Sequence, residues 1–454
     1  MKIIIIGDGK VGYNLAENLS NEGNDVVVID KDPEALRKAD EYLDVMCIKG
    51  NGVSTKVLIE AGVKEAQLLI AATSSDEINM VCCLTAKKLG VERTIARIRD
   101  PEYADELNLL KNDLGLDMVF NPERAAAREI SRMIRFPHAA NIEIFARGRV
   151  EIVEIRIAKG NSIVGMKIKE VAEKISQSIL IGAVVRNDEI IIPKGDFRIE
   201  ESDIVYIVGK PAVVSNFCRQ IGIDYQKIKN AMIIGGGRIA YYLAKFLEEA
   251  GIKAKIVEIN PERCVELSEL LPHTLIINGD GTDDTLLHSE NLSEMGAFVA
   301  LTDMDEENFM SALMAKQAGV PKVIAKINRN NYIGVIKSLG IESIINPSQI
   351  ITNHILRYVR GMKNAQGSPI EALYRIIDGR AEAIAFTANE STDFLNIPLR
   401  DLKFKEGILV AVIVRKNDIL IPHGNDVIKA GNSVILIVKD RKISDLNDII
   451  ASGG

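Results

Sequence analysis

The chain has 454 residues, 47% of them hydrophobic and 26% charged, with 56 Lys+Arg against 63 Asp+Glu for a formal charge of −7. That is enough apolar material for about two to four packed domains, and the lack of a positive excess argues against a surface built for nucleic acid or an anionic membrane. Apolar runs such as Ile408 to Val414 fall far short of the roughly 18 residues of a membrane span, and Met1-Lys2 leads straight into a strand with no room for a signal peptide, so a cytoplasmic protein is expected.

Strand signals at Lys2 to Ile6, Asp25 to Ile29, Val45 to Ile48, Gln67 to Ala71, Arg93 to Ile98 and Met118 to Phe120 alternate with helical patterns. The helices start near Lys10, Pro33, Val53, Asp76, Pro101 and Pro122. Alternation of this kind predicts an α/β fold with a doubly wound parallel sheet. Proline fits the first helical position because its missing N–H has no intrahelical partner there.

A smaller strand-rich unit follows, in which Val185-Arg186-Asn187-Asp188 and then Ile190 to Pro193 predict a hairpin, with Ile204 to Val208 as a further buried strand. Gln220 to Asn230 links it to a second copy of the whole pattern. Asp30-Lys31-Asp32-Pro33-Glu34 returns as Glu258-Ile259-Asn260-Pro261-Glu262, Ala72-Thr73-Ser74 as Leu301-Thr302-Asp303, and Asn121-Pro122 as Asn346-Pro347. The second small unit repeats the hairpin at Val414-Arg415-Lys416-Asn417 and Ile419 to Pro422, with Val434 to Val438 as its further strand. A tandem duplication predicts doubly wound domains over 1–138 and 229–365, and small α+β domains over 139–222 and 366–454.

The duplicated feature that carries chemistry is a glycine turn between a strand and a helix. Gly7-Asp8-Gly9-Lys10-Val11-Gly12 follows the first strand, and Gly235-Gly236-Gly237-Arg238-Ile239-Ala240 follows its counterpart. Gly7 permits the tight turn, Gly9 lets a pyrophosphate approach the backbone, and Gly12 or Ala240 brings helix and sheet close. The helix N-terminus then offers amides and about half a positive charge to an anion. Asp30 and Glu258 follow at matching distances, placed to accept from an adenosine ribose and to repel a 2′-phosphate, which favours NAD over NADP.

Lys10 and Arg238 oppose the helix dipole, which a bound phosphate explains; as solvated surface cations they need no ligand. Thr73-Ser74 and Thr302-Asp303 either border adenine or form ordinary strand-end turns. Arg97 and Lys326 suit a phosphate or a second nucleotide moiety, the alternative being a structural ion pair. Asp8 repels a phosphate unless its side chain points outward. Asp303, Asp305, Glu306 and Glu307 read as a helix N-terminus rich in acids, or otherwise as ligands of a divalent cation.

A dehydrogenase needs an acid or base near the nicotinamide. The histidines His138, His273, His288, His354 and His423 recur at no equivalent positions, and Cys47, Cys82, Cys83, Cys218 and Cys264 form no CxxC pair and are expected as reduced, buried thiols. No catalytic residue and no metal site is expected. A soluble NAD-dependent oxidoreductase is the rival reading, and a free-standing nucleotide or cation sensor serving another channel is a third.

The stretches MKIIIIGDGKVG, VIDKDPEAL, ATSSDEINM and IARIRDPEY, with the second set IIGGGRIAYYLA and VEINPERC, resemble the TrkA family, the NAD-binding peripheral subunits of Trk-type potassium uptake systems. The resemblance spans the chain. It implies two tandem RCK units, each a Rossmann domain followed by a small C-terminal domain, in a non-catalytic regulator on the cytoplasmic face of a membrane potassium transporter. It also implies binding of NAD or NADH and of ATP or ADP, and a homotetramer whose Rossmann domains form a ring. The family's binding positions fall on Gly7, Asp8, Gly9, Lys10, Val11, Gly12, Asp30, Thr73, Ser74 and Arg97, and in the second half on Gly235, Gly236, Gly237, Arg238, Ile239, Glu258, Thr302, Asp303 and Lys326. Lys326 stands where the first half has Arg97, and Ala240 where it has Gly12, so the resemblance carries less firmly to the second site.

Overall fold

A computed structural model describes residues 1–101, 103, 114–135, 142–175, 179–223, 228–363, 368–377, 380–416 and 418–451. The first sheet has the order β3-β2-β1-β4-β5-β6, with strands β1 Lys2–Ile6, β2 Asp25–Asp30, β3 Met46–Lys49, β4 Leu68–Ala71, β5 Arg93–Arg97 and β6 Met118–Phe120, all parallel. Helices α1 Lys10–Asn21, α2 Pro33–Tyr42, α3 Thr55–Glu60, α4 Asp76–Leu89 and α5 Pro122–Arg135 surround it. The strand order reverses at β1 and β4, so their carboxyl ends open the crevice in which ligands of such sheets sit. The helix predicted near Pro101 lies largely outside the described residues.

Proline opens α2, and the Asp32 side chain accepts from the Glu34 amide at 3.0 Å, which satisfies one of the amides left over at a helix start. Ile3, Ile4 and Ile5 of β1 are fully buried, as an unbroken apolar run must be when both faces of a parallel sheet are covered.

The first small domain is a five-stranded antiparallel sheet of β7 Ile142–Phe145, β8 Val150–Arg156, β9 Ile179–Arg186, β10 Glu189–Ile191 and β11 Ile204–Gly209, flanked by α6 Ile168–Ile175 and α7 Pro211–Gln220. The expected hairpin is present, with Arg186 opposite Glu189 and left-handed backbone at Asn187 (φ 50) and Asp188 (φ 65). The strand expected over Ile204 to Val208 pairs with both β8 and β9.

The second half repeats both sheets. Its parallel sheet holds β12 Asn230–Ile234, β13 Lys253–Glu258, β14 Leu275–Asn278, β15 Ala297–Ala300, β16 Lys322–Lys326 and β17 Ser343–Ile345 in the order β14-β13-β12-β15-β16-β17. The helices are α8 Arg238–Glu249, α9 Pro261–Leu270, α10 Asp284–Ser289, α11 Asp305–Gln317, α12 Asn330–Ser338 and α13 Pro347–Lys363. The last sheet, with β18 Ile370–Ile376, β19 Ala381–Thr387, β20 Ile408–Arg415, β21 Asp418–Leu420 and β22 Ser433–Lys439, has the order β18-β19-β22-β20-β21. Its expected hairpin pairs Arg415 with Asp418, while Asn417 itself lies outside the described residues.

The two halves are not laid end to end. Helix α5 ends the first parallel sheet yet packs Ala126, Ile130 and Ile134 against Tyr242, Leu243 and Leu247 of α8 in the second. Reciprocally, Ile351, Ile355 and Val359 of α13 join Leu15 and Leu19 of α1 in one core. Each glycine-turn helix is therefore covered by the other half's closing helix. A buried ion network locks this exchange: Arg360 of α13 donates to Glu22 just beyond α1 at 2.7 and 3.1 Å and to Glu382 of β19 at 2.8 Å. Arg360 is 2% exposed.

The two small sheets also share a core, in which Val150, Ala183 and Tyr206 meet Ala383, Val412 and Ile437. A Cβ built on Gly182 would lie 2.3 Å from the Ile437 side chain, so glycine lets the two sheets approach there without displacing that side chain.

Candidate nucleotide site

Gly7 and Gly235 turn the chain with φ of +96° and +92°, a left-handed conformation that side chains resist. A Cβ on Gly7 would also meet the Thr73 backbone at 3.0 Å, and one on Gly12 would lie 1.8 Å from the Gly7 carbonyl oxygen. Gly9 and Gly237 cap α1 and α8, and nothing lies within 4 Å of where their Cβ atoms would be. Neither helix has an acid in its first turn. Two open concavities of backbone amides result, and a pyrophosphate fits each of them.

The strand-end acids have a local task. Asp30 accepts from the Asp8 amide at 2.7 Å and the Asp32 amide at 2.9 Å. Glu258 does the same for Gly236 at 2.6 Å and Asn260 at 2.8 Å. Each carboxylate thus pins the glycine turn, and each oxygen keeps a lone pair for a ribose hydroxyl. They are structural acceptors in both halves.

Asp8 departs from the expectation of an outward side chain. It is 6% exposed, and both carboxyl oxygens are buried without a hydrogen-bond partner. Burial first, then the charge of Asp30, pushes its carboxyl up to about 7, with Lys38 acting the other way.

Both turns open into one cleft of about 980 Å³ between the halves. Gly9, Lys10, Val11 and Arg97 line it from one side, and Gly237, Arg238, Ile239, Asp303 and Lys326 from the other. Gly7, Gly12, Asp30, Thr73 and Ser74, with Gly235, Gly236, Glu258 and Thr302, shape the surrounding turns but do not form its wall. Arg99 and Arg263 also line it, and sequence reasoning missed both. Arg263 Nε donates to the Gly236 carbonyl at 2.8 Å, a bond the first half lacks because Ala35 stands in the aligned place.

Arg97 Nη2 lies 3.0 Å from Glu123 Oε1, and burial lowers its proton affinity, with Glu123 opposing that effect. The structural ion pair is real, and the same guanidinium faces the cleft. Lys326 Nζ is 3.3 Å from Asp303 Oδ1. Asp305 accepts from the Asn328 and Arg329 amides at 3.0 and 2.9 Å, and Glu306 pairs with Arg329 at 3.0 Å. Half of that acidic cluster is thus committed to binding the loop after β16, as a helix N-terminus would be.

A second repeated pair, Asn79 and Asn308, organises the floor. Asn79 Oδ1 accepts from the Thr73 amide at 2.9 Å while its Nδ2 donates to the Arg97 carbonyl at 2.9 Å. Asn308 joins the Thr302 amide at 2.7 Å to the Lys326 carbonyl at 2.9 Å. Both are fully buried. The repeated interval from Thr73 to Asn79 and from Thr302 to Asn308 was the sequence signal for them.

The histidines stand elsewhere. His273 and His288 are exposed beside Glu248 and Asp284, His423 lies 3.9 Å from Asp426, and His138 is outside the described residues. Burial pushes His354 down to about 4, with Arg357 adding to the effect, so it is neutral. All five cysteines are free thiols, and burial pushes Cys82 up to about 12 and Cys47 to about 11. Among the described residues no His, Cys, Asp and Glu side chains are grouped to hold a metal ion, and no helix is long and apolar enough to cross a membrane.

Comparison with known proteins agrees with the duplication. The TrkA-N domain model matches residues 3–122 and 231–347, and the TrkA-C domain model matches 152–222 and 383–451. A Trk system potassium uptake protein TrkA homolog 1 from Methanosarcina mazei is 37% identical over 444 residues, covering 96% of this chain and 97% of that protein. The Trk system potassium uptake protein TrkA of Halomonas elongata is 34% identical, covering 100% and 99%. Among solved structures, the GsuK RCK domain superposes with a TM-score of 0.63 at 18% identity, covering 96% of this chain and 92% of that one. A GsuK channel bound to NAD gives 0.63 at 18% identity, covering 96% and 76%.

Proposed function

The chain belongs to the TrkA family, and we propose that it is a nucleotide-sensing regulatory subunit that binds NAD or NADH, and also ATP or ADP, and gates a Trk-type membrane potassium transporter by conformational change. The observation that carries this reading is the shared cleft. Two glycine turns on different halves face each other across one volume, edged by Lys10, Arg97, Arg238 and Lys326.

A ligand in such a cleft touches both halves at once. It shifts the assembly only as far as it binds one arrangement of the two sheets more tightly than another. The exchanged helices α5 and α13 provide the lever, because each is rooted in one half and packed on the other's glycine-turn helix. The turns supply amides to the phosphates, Asp30 and Glu258 accept from adenosine ribose, and the Thr73-Ser74 and Thr302-Asp303 corners border adenine. The nucleotide is a ligand, not a reactant, which the committed state of the bordering groups supports: Arg97 with Glu123, and Lys326 with Asp303.

The partner is the integral subunit of a Trk-type transporter, the oligomer a tetramer, and the location the cytoplasmic face of the membrane. Names of relatives carrying potassium uptake, and a GsuK channel determined with NAD, support that placement. Co-purification of the full chain with a Trk-type membrane subunit, and potassium flux that changes when NADH or ATP is added, is the expected result. No complex, or oxidation of NADH by the purified chain in the presence of an acceptor, overturns it.

A further inference from the structure

The two glycine turns are built differently in one place, and the difference is a buried acid. Asp8 stands where the second half has Gly236. A Cβ on Gly236 would meet the side chains of Leu267 of α9 at 2.6 Å and Glu258 at 3.0 Å, so a side chain there would have to displace them. In the first half the residue aligned with Leu267 is the smaller Ala39, fully buried in α2, and the Asp8 side chain beside the turn is itself only 6% exposed.

That carboxyl has no donor. Both oxygens are shielded from water and without hydrogen-bond partners, although an ionised carboxylate in the interior needs them. The charged and titratable groups that influence it are Asp30 at the end of β2, Lys38 of α2, Cys47 of β3 and Tyr13 of α1. Only Lys38 is cationic, and its ammonium sits 4.2 Å over the Tyr13 ring. Asp30 accepts from the Asp8 amide at 2.7 Å, which brings a second carboxyl group close to the first and raises it further.

We propose that Asp8 couples nucleotide binding at the first turn to proton uptake, so that NAD binds more tightly as pH falls, while the Gly236 turn binds independently of pH. The proposal rests on the first turn being a nucleotide site. A pyrophosphate at the N-terminus of α1 brings negative charge to the backbone next to Asp8. It therefore favours the neutral form of Asp8, and by reciprocity protonation favours the ligand. Burial already holds the Asp8 carboxyl up to about 7, so the transition falls where a cell's pH varies. With a single proton taken up per ligand, affinity at the first site changes by up to about tenfold between pH 6 and 8.

The test is calorimetric titration of the full chain with NAD+ at pH 6, 7 and 8, in buffers of different ionisation enthalpy so that proton uptake is read directly. NAD+ is the probe because its bridging pyrophosphate does not titrate there, unlike the terminal phosphate of ADP with its pKa of about 6. Wild type is expected to bind several-fold more tightly at pH 6 than at pH 8, with net proton uptake at pH 8. Asp8→Asn, which keeps the shape without the charge, is expected to bind at every pH as wild type does at pH 6, with no uptake; Asp8→Ala reads the same way should the amide prevent folding. A wild type whose affinity is flat, or a variant that keeps the slope, overturns the proposal and leaves the site standing. A chain that binds no NAD+ at any pH overturns the site and the proposal together.

Discussion

Replacing Asp30 by alanine separates the two tasks the carboxylate performs. In the free protein it accepts from the Asp8 and Asp32 amides at 2.7 and 2.9 Å, and its loss leaves both without a charged acceptor. Water reaches the exposed Asp32, and Asp8 is relieved of a like-charged neighbour, so the net cost to the fold is about 1–2 kcal/mol. In the proposed nucleotide complex the same carboxylate also accepts from ribose. A hydrogen bond to a charged group contributes about 1.5–3 kcal/mol, and every 1.4 kcal/mol is roughly tenfold in affinity. Asp30→Ala is therefore expected to weaken NAD binding by about ten- to a hundred-fold, with a melting temperature only a few degrees lower. Isothermal calorimetry on wild type, Asp30→Ala and Glu258→Ala, with thermal melts alongside, reads both effects. Unchanged affinity in a folded Asp30→Ala protein refutes the assignment of the ribose contact.

Gly12→Ala places a Cβ 1.8 Å from the Gly7 carbonyl oxygen, so it is expected to spread the first turn, as the counterpart holding Ala240 must already be, and to weaken NAD binding there, measurable by the same titration; a variant that binds like wild type contradicts the tight packing of that turn on its helix. Arg360→Leu leaves Glu22 and Glu382 buried with only Arg375, at 3.4 and 3.9 Å, and Lys442, at 3.5 Å from Glu22, to offset their charge, and is expected to cost about 3–5 kcal/mol in urea unfolding; an unchanged midpoint contradicts the clamp. Lys322 is 3% exposed, and burial pushes it down to about 7, against an unfolded value of about 10.4. Between those two values the unfolded chain binds more protons, so wild-type stability gains from this group as pH rises. Lys322→Met is accordingly expected to outlast wild type in thermal melts most clearly at pH 7 and below, and to lose the advantage by about pH 10; an advantage independent of pH contradicts it.

Much of the fold was legible because the elements are locally consistent. Apolar runs such as Ile3 to Ile6 declare strands buried on both faces, and Pro33, Pro122, Pro261 and Pro347 mark helix starts that the structure keeps to the residue. The strand ends at Val45, Gln67 and Ile98 were each misplaced by one position, where polar flanks frame a short run without fixing its limits. What lay beyond the sequence was mainly long-range. That Ile130 and Ile355 are buried follows from helical spacing, but spacing does not say that each packs on the opposite half. The shared cleft is a consequence of that exchange. Arg99 and Arg263 line it without an arginine counterpart in the other half, where Asn328 and Ala35 stand in the aligned places, so the repeat that marked the other positions did not mark them. The burial of Asp8 gave no local sign either: the small Ala39 aligns with the Leu267 that crowds the Gly236 position, a difference that only a side-by-side view of the two halves brings out.

Everything proposed for this chain depends on two facing glycine turns holding nucleotides without transforming them. The most direct test is a crystal structure of the full chain grown with NAD+. Intact dinucleotide is predicted in the cleft, with its pyrophosphate over the amides of Gly9 to Val11 and its adenosine ribose at Asp30. Both turns empty under saturating ligand, with NAD+ bound elsewhere or not at all, would contradict the account.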